Sequence, residues 1–260
     1  MKTLALHQAA GGVLTISLNR PEVRNAMSLA MVGELRQALA EAEGSGVRVI
    51  VLRGAGGHFC AGGDLREMAQ ARAQGGDAPV AAVSAAFGEL CCAFAATGLA
   101  VVAVLQGTVM GGGLGLACVA DVVIADETTS VRLPETSLGV VPAQIAPFLL
   151  ERLGYSEAKR LAVTGGRLDA QEALALRLIH AVVPSAELEV ALALQLAAIL
   201  RCAPGAIAQT KALLAQARFA PPASLVQHAA EIFSRAVQSA EGIEGTMAFL
   251  QKRQPAWAPA

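Results

Sequence analysis

Short apolar runs rich in β-branched residues alternate with amphipathic segments through the first half of the chain. Strands are predicted at Val13–Leu18, Val47–Leu52, Val101–Leu105 and Asp121–Ala125. A stripe of apolar residues at helical spacing follows Ser28 and predicts a helix that this serine caps. Continuous apolar strands that alternate with helices are typical of parallel strands covered on both faces. The pattern therefore indicates an α/β first half.

The pattern changes after about residue 143, because helical periods dominate from there on. Helices are predicted at 143–152, 156–164, 169–176, 186–200, 204–216, 221–237 and 240–252. One short apolar run, Ile179–Val183, predicts a strand among them. In the first half, the glycines within 71–79 favour a mobile loop between helices at 64–72 and 80–97.

Composition narrows the classes of partner. Hydrophobic residues make up 54% of the 260 residues and charged residues 16%, so the polar surface is thin and partner subunits are expected to cover part of it. The 20 basic and 21 acidic residues nearly balance, which favours neither nucleic acid nor an anionic membrane. Residues 1–7 lack the apolar core of a signal peptide, and no apolar run approaches the ~18 residues of a membrane span. We expect a cytoplasmic protein.

The cysteines and histidines form no metal or redox pattern. Five cysteines occur without CxxC spacing, and their apolar surroundings favour reduced, buried thiols. Cys60 is two residues from His58, a spacing that directs the two side chains to opposite faces of a strand and does not favour a thiol nucleophile. The four histidines lack metal-ligand spacing, so no metal site is expected.

Two glycine-rich segments carry the first candidate chemistry. Residues 58–65 and 107–115 each follow an apolar strand and lead into a helical pattern. Glycine lets a backbone approach a ligand with its N–H groups exposed, and two such loops can direct two donors at one oxygen, as in an oxyanion hole. Tight turns are the structural alternative. The second segment departs from GxGxxG, since Leu116 takes the sixth position, and neither segment is a P-loop.

Ordered motifs extend along almost the whole chain. They are Asn19–Met27, Phe59–Leu65, Gly111–Gly113, Leu133–Glu135 with Leu138, Gly139 and Pro142, and Glu244–Pro255. Together they resemble the crotonase superfamily of enoyl-CoA hydratases and isomerases. The resemblance implies a spiral of ββα units at 1–200, with the CoA site and active site, and a C-terminal helical trimerisation region at 201–260 that builds trimers or dimers of trimers. The implied ligand is an acyl-CoA, with coenzyme A as part of the substrate and no separate cofactor.

The resemblance also implies roles for residues of the loops. The backbone N–H groups of Gly63 and Gly112 match the pair that binds the thioester oxygen. Positions that line the path of adenine and pantetheine are matched by Ala61, Asp64 and Leu65. Arg24 and Ala26 match the segment near the CoA phosphates and adenine, although Arg24 has the alternative of a solvated loop charge.

One glutamate is expected to perform the acid–base chemistry. Typical hydratases of the superfamily use two; Glu135 matches the second, in a Pro-Glu motif, whereas Gly115 takes the place of the first. A single carboxylate beside the Cα–Cβ bond can take a proton from water and return it to Cα, and such help is typically worth ~10²–10⁴-fold. A Δ3,Δ2-enoyl-CoA isomerase, which needs one base, and a non-catalytic acyl-CoA-binding homologue stay open. The structural alternative for Glu135 is a capping or ion-paired loop residue.

The segment Pro142–Phe148 departs from the Gly-Gly pair of typical hydratases. It resembles bacterial hydratases of branched glutaconyl-CoA thioesters, such as methylglutaconyl-CoA and isohexenylglutaconyl-CoA. Those substrates carry a distal carboxylate, which a cation near the acyl pocket would bind. Arg132 is the candidate, because arginine suits bidentate carboxylate binding, and a surface arginine on a strand edge is the alternative.

Overall fold

The computed structural model describes residues 1–9 and 11–259. The strands are β1 (Leu4–Ala9), β2 (Val13–Leu18), β3 (Val49–Gly54), β4 (Ala100–Leu105), β5 (Thr108–Met110), β6 (Val122–Asp126), β7 (Ser130–Arg132), β8 (Arg167–Asp169) and β9 (Ala181–Val183). One sheet has the order β1-β2-β3-β4-β6-β9, and a smaller one has the order β5-β7-β8. In the large sheet β1 is antiparallel to β2, and the other neighbouring pairs are parallel.

Helices cover the large sheet and continue to the end of the chain. They are α1 (Leu29–Ala42), α2 (Leu65–Ala73), α3 (Ala78–Ala96), α4 (Gly112–Val119), α5 (Ala146–Thr164), α6 (Ala170–Ala175), α7 (Leu188–Leu200), α8 (Pro204–Ala217), α9 (Pro222–Gln238) and α10 (Ala240–Leu250). Short 3-10 helices lie at Pro21–Val23, Glu135–Leu138 and Ser185–Glu187. The predicted change from α/β to helical structure is confirmed.

Both faces of the large sheet are buried. Ile50 and Leu52 of β3 belong to the core that includes residues of α1, α3 and α4. Val49 and Val51 point to the opposite face and pack in a second core with residues of α7. Alternate residues of a strand point to opposite faces, so a strand covered on both sides is apolar throughout. The apolar runs predicted these central strands for this reason.

Two local predictions need adjustment. The predicted helices at 143–152 and 156–164 are confirmed as the two segments of α5, which the non-helical backbone of Gly154 (φ +71°, ψ 166°) separates, but the first segment begins at Ala146 and not at 143. The predicted loop at 71–79 is shorter, because α2 continues to Ala73 and α3 begins at Ala78. Asp77 directly precedes α3, and Pro79 lies in its first turn. Proline is well tolerated there, because backbone N–H groups in the first turn have no partner within the helix.

The small sheet was not predicted from the sequence. Each of its strands has three residues, too few to show a period of two. One residue of each strand is buried, and these are Val109, Val131 and Leu168. The strand β1 was also missed, since Leu4 is its one buried residue.

Helix α3 is apolar enough to resemble a membrane span. It has 19 residues and a mean hydropathy of 1.6, sufficient by length and composition to cross a membrane. The expectation that no apolar run approaches the length of a membrane span is therefore wrong by length and hydropathy. Glu89 is the one charged residue in α3, and the alanines around it keep the mean hydropathy high. Leu90, Cys91 and Phe94 are nevertheless buried in the core. We interpret α3 as a core helix whose other side is partly exposed.

Candidate active site

The two glycine loops lie directly against each other. The first loop pairs with β5, since the Cys60 amide donates to the Thr108 carbonyl at 3.0 Å and the Met110 amide donates to the Cys60 carbonyl at 2.9 Å. A Cβ added to Gly62 would lie 3.2 Å from the Met110 oxygen and 3.7 Å from the Gly111 Cα. Glycine therefore permits a backbone-to-backbone contact that places the ends of both loops together.

Each loop ends in an amide that is free to donate. The neighbours of Gly63 are fixed by the Met27 amide, which donates to Gly62 at 2.7 Å, and by the Asp64 amide, which donates to Met27 at 2.9 Å. In the described part of the chain no group accepts a hydrogen bond from the Gly63 amide, and Gly63 itself is exposed. Gly112 is the first residue of α4, where helical amides have no partner within the helix. The two amides can therefore both bind an oxygen.

The Glu135 carboxyl is packed against the junction of the loops. A Cβ on Gly111 would lie 2.8 Å from Glu135 Oε1, and Gly111 has φ +46°, so glycine is required here for both space and conformation. The Oε2 atom is buried and has no hydrogen-bond partner among the described residues. Burial raises the pKa of Glu135 above its ordinary value and outweighs a local backbone hydrogen bond that lowers it. This carboxyl is free to exchange a proton.

An apolar wall fills the place where the resemblance implied a second carboxylate. A Cβ on Gly115 would lie 2.5 Å from Ile145 Cγ2 and 3.1 Å from Phe87 Cζ. The Phe87 ring also faces Gly112, where an added Cβ would be 3.3 Å from Cζ. Gly115 and Ile145 are buried, and Phe87 is half-buried. The position that the resemblance assigns to a second carboxylate is therefore occupied by apolar packing.

The residues expected along the CoA path lie on two adjacent segments. The Ala61 amide donates to the Arg24 carbonyl at 2.9 Å, while the Arg24 side chain is exposed. The Ala26 carbonyl accepts from Arg20 Nη1 at 2.7 Å, and Leu65 is the exposed first residue of α2. The structure thus brings this predicted set together beside the free Gly63 amide.

The Asp64 side chain is engaged within the protein. It accepts from the Arg66 amide at 3.0 Å, which caps α2, and pairs with Arg20 Nη2 at 2.9 Å. Partial burial works to raise the pKa of Asp64, but the hydrogen bonds from Arg20 and Arg66 outweigh it and leave the pKa below its ordinary value. A ligand beside Asp64 would meet mainly backbone.

Asn25, whose side chain positions the segment that carries Arg24, was not singled out from the sequence. It is fully buried with φ +57°, and its Nδ2 donates to the carbonyls of Ala55 at 2.9 Å and His58 at 2.7 Å. Its Oδ1 accepts from the Arg20 amide at 2.8 Å. These bonds fasten the segment that carries Arg24 to the first glycine loop. Asparagine tolerates left-handed backbone, which is the one signal that could have singled it out.

The comparison with known families agrees with this arrangement. The family model for enoyl-CoA hydratase/isomerase matches residues 8–259. The chain belongs to the enoyl-CoA hydratase/isomerase family. It is an enzyme, and hydratase is the activity for which several of its curated relatives are named.

Similar proteins match this family member over nearly its full length. The 2,3-dehydroadipyl-CoA hydratase of Escherichia coli is 34% identical over 94% of each chain. Among solved structures, Pseudomonas aeruginosa AtuE is 51% identical, with a TM-score of 0.96 over 99% of this chain and 100% of that one. An enoyl-CoA hydratase/isomerase from Marinobacter aquaeolei is 48% identical, with a TM-score of 0.95 over 100% of both chains. The expected crotonase fold is confirmed.

The Arg132 side chain, the candidate for binding a distal carboxylate, lies on the surface. Arg132 is exposed at the end of β7, opposite Arg167 in register, and its carbonyl accepts from the Gly111 amide at 3.2 Å. Val131 is buried, so the neighbouring Arg132 side chain leaves the other face of the strand. The backbone of Arg132 supports the second glycine loop whatever its side chain binds.

The thiols near the site are structural. Cys60 is fully buried beneath Gly113, and burial raises its pKa to about 12, so it is not a nucleophile. His58 Nδ1 accepts from the Thr108 amide at 3.1 Å, which ties the first loop to β5. The expectation that the cysteines are buried fails for Cys92 and Cys202, which are exposed. Within residues 1–9 and 11–259 no group of three metal-binding side chains is gathered.

Proposed function

We propose that the chain adds water across the conjugated double bond of an enoyl-CoA thioester. Gly63 and Gly112 bind the thioester oxygen through their amides, and Glu135 is the acid–base residue. The observation that carries the proposal is the position of the Glu135 carboxyl against the loop junction, with Oε2 buried and unpartnered.

The step requires one base and one oxyanion site. Glu135 takes a proton from water as the water oxygen bonds to Cβ, and the electrons of the double bond move to form an enolate on the thioester oxygen. The enolate then takes the proton from Glu135 at Cα, which regenerates the carboxylate. Two amide donors stabilise the enolate oxygen more than the neutral carbonyl, and that difference accelerates the reaction. The step changes no oxidation state overall and needs no redox cofactor.

The amide of Gly112 has an additional advantage as a donor. It lies at the N-terminus of α4, where the helix macrodipole is positive. Gly111 and Gly62 place this amide beside the first loop. A negative charge that forms on the thioester oxygen is therefore favoured by both hydrogen bonds and the helix field.

For the acyl group we propose a branched glutaconyl-type chain, such as methylglutaconyl or isohexenylglutaconyl. The partly exposed Phe87 ring suits a branched hydrocarbon, and the space filled at Gly115 leaves no second carboxylate to repel a substrate anion. The Escherichia coli relative is named for 2,3-dehydroadipyl-CoA, a thioester whose acyl chain ends in a carboxylate. Arg132 is the candidate cation from the sequence.

A panel of 2-enoyl-CoA thioesters tests this function. Loss of the conjugated-thioester absorbance reports hydration, and mass spectrometry in ¹⁸O-water reports the new hydroxyl. We expect ¹⁸O at Cβ and the highest kcat/KM for thioesters with a branched chain and a distal carboxylate. A panel in which simple crotonyl-CoA is hydrated well and glutaconyl-type thioesters are unchanged would contradict the acyl assignment.

An isomerase is the second candidate function. The observation that favours it is the single carboxylate, since moving a proton between Cα and Cγ requires one base and no water. An isomerase would shift the double bond of a 3-enoyl-CoA without incorporating ¹⁸O. A non-catalytic acyl-CoA-binding role would show saturable thioester binding with neither product.

We also propose a cytoplasmic homo-oligomer, a trimer or a dimer of trimers. Helices α8 and α9 contribute no buried residue, and Phe233 and Phe249 are 71% and 83% exposed. Apolar residues at this density on a surface favour a partner, and a second copy of the chain supplies the same surface by symmetry. Light scattering of the purified protein tests this, and a monomeric mass would contradict it.

A further inference from the structure

A polar pair of side chains adjoins the apolar wall of the candidate active site. Ser84 lies on α3 one turn before Phe87, and Gln144 directly precedes Ile145. Gln144 Nε2 donates to Ser84 Oγ at 3.1 Å. Both residues are partly exposed, so the pair is accessible to a ligand.

The Gln144 amide is held in place by a close contact with helix α3. Gln144 Oε1 and Cδ lie so close to Gly88 that a Cβ added at position 88 would overlap them. Gly88 therefore provides a notch in α3 in which the amide rests. A side chain fixed in this way loses less conformational entropy when a ligand binds than a free glutamine does.

The pair has hydrogen-bond donors left over. A glutamine amide has two N–H groups, and one of them is used on Ser84. The Ser84 oxygen accepts that bond, which leaves its own O–H to donate, and no acceptor for this hydroxyl is found in the described part of the chain. Two neighbouring donors suit the two oxygens of a carboxylate, and hydrogen bonds to a charged acceptor are stronger than neutral ones.

The geometry of the proposed reaction points an acyl chain toward this pair. A thioester oxygen bound by Gly63 and Gly112 places the reacting carbons beside Glu135. We expect the chain beyond them to pass the partly exposed Phe87 ring, which lies on α3 one turn from Ser84 and therefore near Gln144. We propose that Ser84 and Gln144 form a subsite for a carboxylate at the distal end of the acyl chain. This inference rests on the proposed function and extends it to the substrate class.

Two enoyl thioesters that differ mainly in the carboxylate test the subsite. Glutaconyl-CoA has a distal carboxylate, and 2-pentenoyl-CoA has a methyl group in its place. The readout is the ratio of kcat/KM for the two thioesters in the full-length enzyme. In Gln144→Met, which keeps the volume and removes the donors, we expect this ratio to fall about 10- to 100-fold. Gln144→Glu can still pair with Ser84 but repels the carboxylate, and its ratio should fall further.

Matched variants separate this role from a structural one. Gln37→Met makes the same change on the exposed side of α1 and should leave the ratio as in the wild type. Equal losses for both thioesters in Gln144→Met would mean that the pair only fastens α3, and would overturn the proposal. A selective loss in Arg132→Met that Gln144→Met and Ser84→Ala do not share would assign the carboxylate to Arg132 instead.

Binding of saturated thioesters makes the test independent of turnover. Glutaryl-CoA and pentanoyl-CoA cannot be hydrated, and calorimetry gives their Kd values for each variant. We expect Gln144→Met to weaken glutaryl-CoA selectively, by about 10-fold or more. If the wild type hydrates no thioester, but Gln144→Met still weakens the binding of glutaryl-CoA selectively, the subsite stands and the proposed hydration fails. If hydration occurs and the Kd ratio does not change, the subsite is wrong and the hydratase stands.

Discussion

The side chain of Ile145 occupies the space into which a side chain at position 115 would extend. A Cβ added to Gly115 would lie 2.5 Å from Ile145 Cγ2. The absence of a carboxylate at 115 is therefore built into the packing around the site, because a residue from a distant segment fills the volume. Glu135 is left as the acid–base group beside the two free amides.

Restoring a carboxylate at 115 is expected to fail. Gly115→Glu forces a side chain and a charge into a buried space that Ile145 and Phe87 fill, and we expect a loss of more than about 2 kcal/mol in the free energy of unfolding, without a gain in hydration rate. Urea unfolding and the thioester assay measure both. The double variant Gly115→Glu/Ile145→Ala should recover part of the stability.

Gly33 provides a matched control for this packing. It lies in α1 with nothing within 4 Å of an added Cβ, so Gly33→Ala should gain about 0.5–1 kcal/mol from the lower entropy of the unfolded chain. Gly115→Ala is also helical, but its methyl group meets Ile145, and we expect it to destabilise the protein. Equal gains in both variants would show that the space at 115 is open.

The raised pKa of Glu135 predicts a pH-dependent change in stability. Burial lifts the folded-state pKa above the ordinary value of about 4.3, so between these two values the folded protein binds the extra proton and the free energy of unfolding falls as pH rises. Glu135→Gln removes this penalty. We expect the variant to unfold at a higher temperature than the wild type at pH 7–8, with an advantage that shrinks as the pH approaches 4.

Compared with Glu135, Glu34 has a pKa that is shifted in the opposite direction. Burial works to raise its pKa, but hydrogen bonds from the Lys2 and Thr3 amides and the Thr3 hydroxyl outweigh it, and the pKa is lowered. Glu34→Gln should therefore be less stable than the wild type at pH 7, with a difference that diminishes as the pH falls through the lowered pKa. The two variants should thus shift the unfolding temperature in opposite directions at pH 7; shifts of the same sign would refute the assignment.

Arg152 is expected to support the oxyanion donor from the far end of α4. Its Nη2 donates to the carbonyls of Ala120 at 2.5 Å and Ala117 at 3.2 Å, at the C-terminus of the helix that begins at Gly112. Arg152→Met leaves these carbonyls unpaired, and we expect a loss of about 1–3 kcal/mol in stability and a lower kcat. Arg160→Met removes the exposed pair with Glu157 on the same helix and should lose less than about 1 kcal/mol. Similar effects in both would contradict this role.

The Asn25 side chain is expected to stabilise the contact between the segment that carries Arg24 and the first glycine loop. Asn25→Ala removes the partner of three partly buried backbone groups and places alanine at φ +57°, so we expect a loss of about 2–4 kcal/mol. Asn25→Gly loses the same hydrogen bonds without the backbone strain and should be the more stable of the two variants. Denaturant unfolding decides, and a variant Asn25→Ala as stable as the wild type would contradict the assignment.

Much of the fold was predictable because the central strands are covered on both faces. Val49–Leu52 is apolar throughout for that reason, and such a run is detectable in a single sequence. The strands β5, β7 and β8 were not predictable, since three residues with one buried side chain resemble a loop.

The candidate site was predictable only as far as local motifs extend. Gly63, Gly112 and Glu135 belong to short segments with a family resemblance, and the structure brings them together. Phe87 and Ile145 were not predictable as neighbours of Gly115, because no periodic pattern links three distant segments. The sequence shows that Gly115 lacks a carboxylate. It does not show that Ile145 and Phe87 fill the space beside Gly115, because that packing depends on the tertiary structure.

The turnover of Glu135→Gln tests the central claim most directly. With the thioester that the wild type hydrates best, we expect kcat to fall by ~10²–10⁴-fold, because the amide cannot accept the proton of water. Binding of the saturated thioester, measured by calorimetry, establishes that the variant is folded. A kcat within about twofold of the wild type in a variant that still binds would contradict the assignment of Glu135 as the acid–base residue.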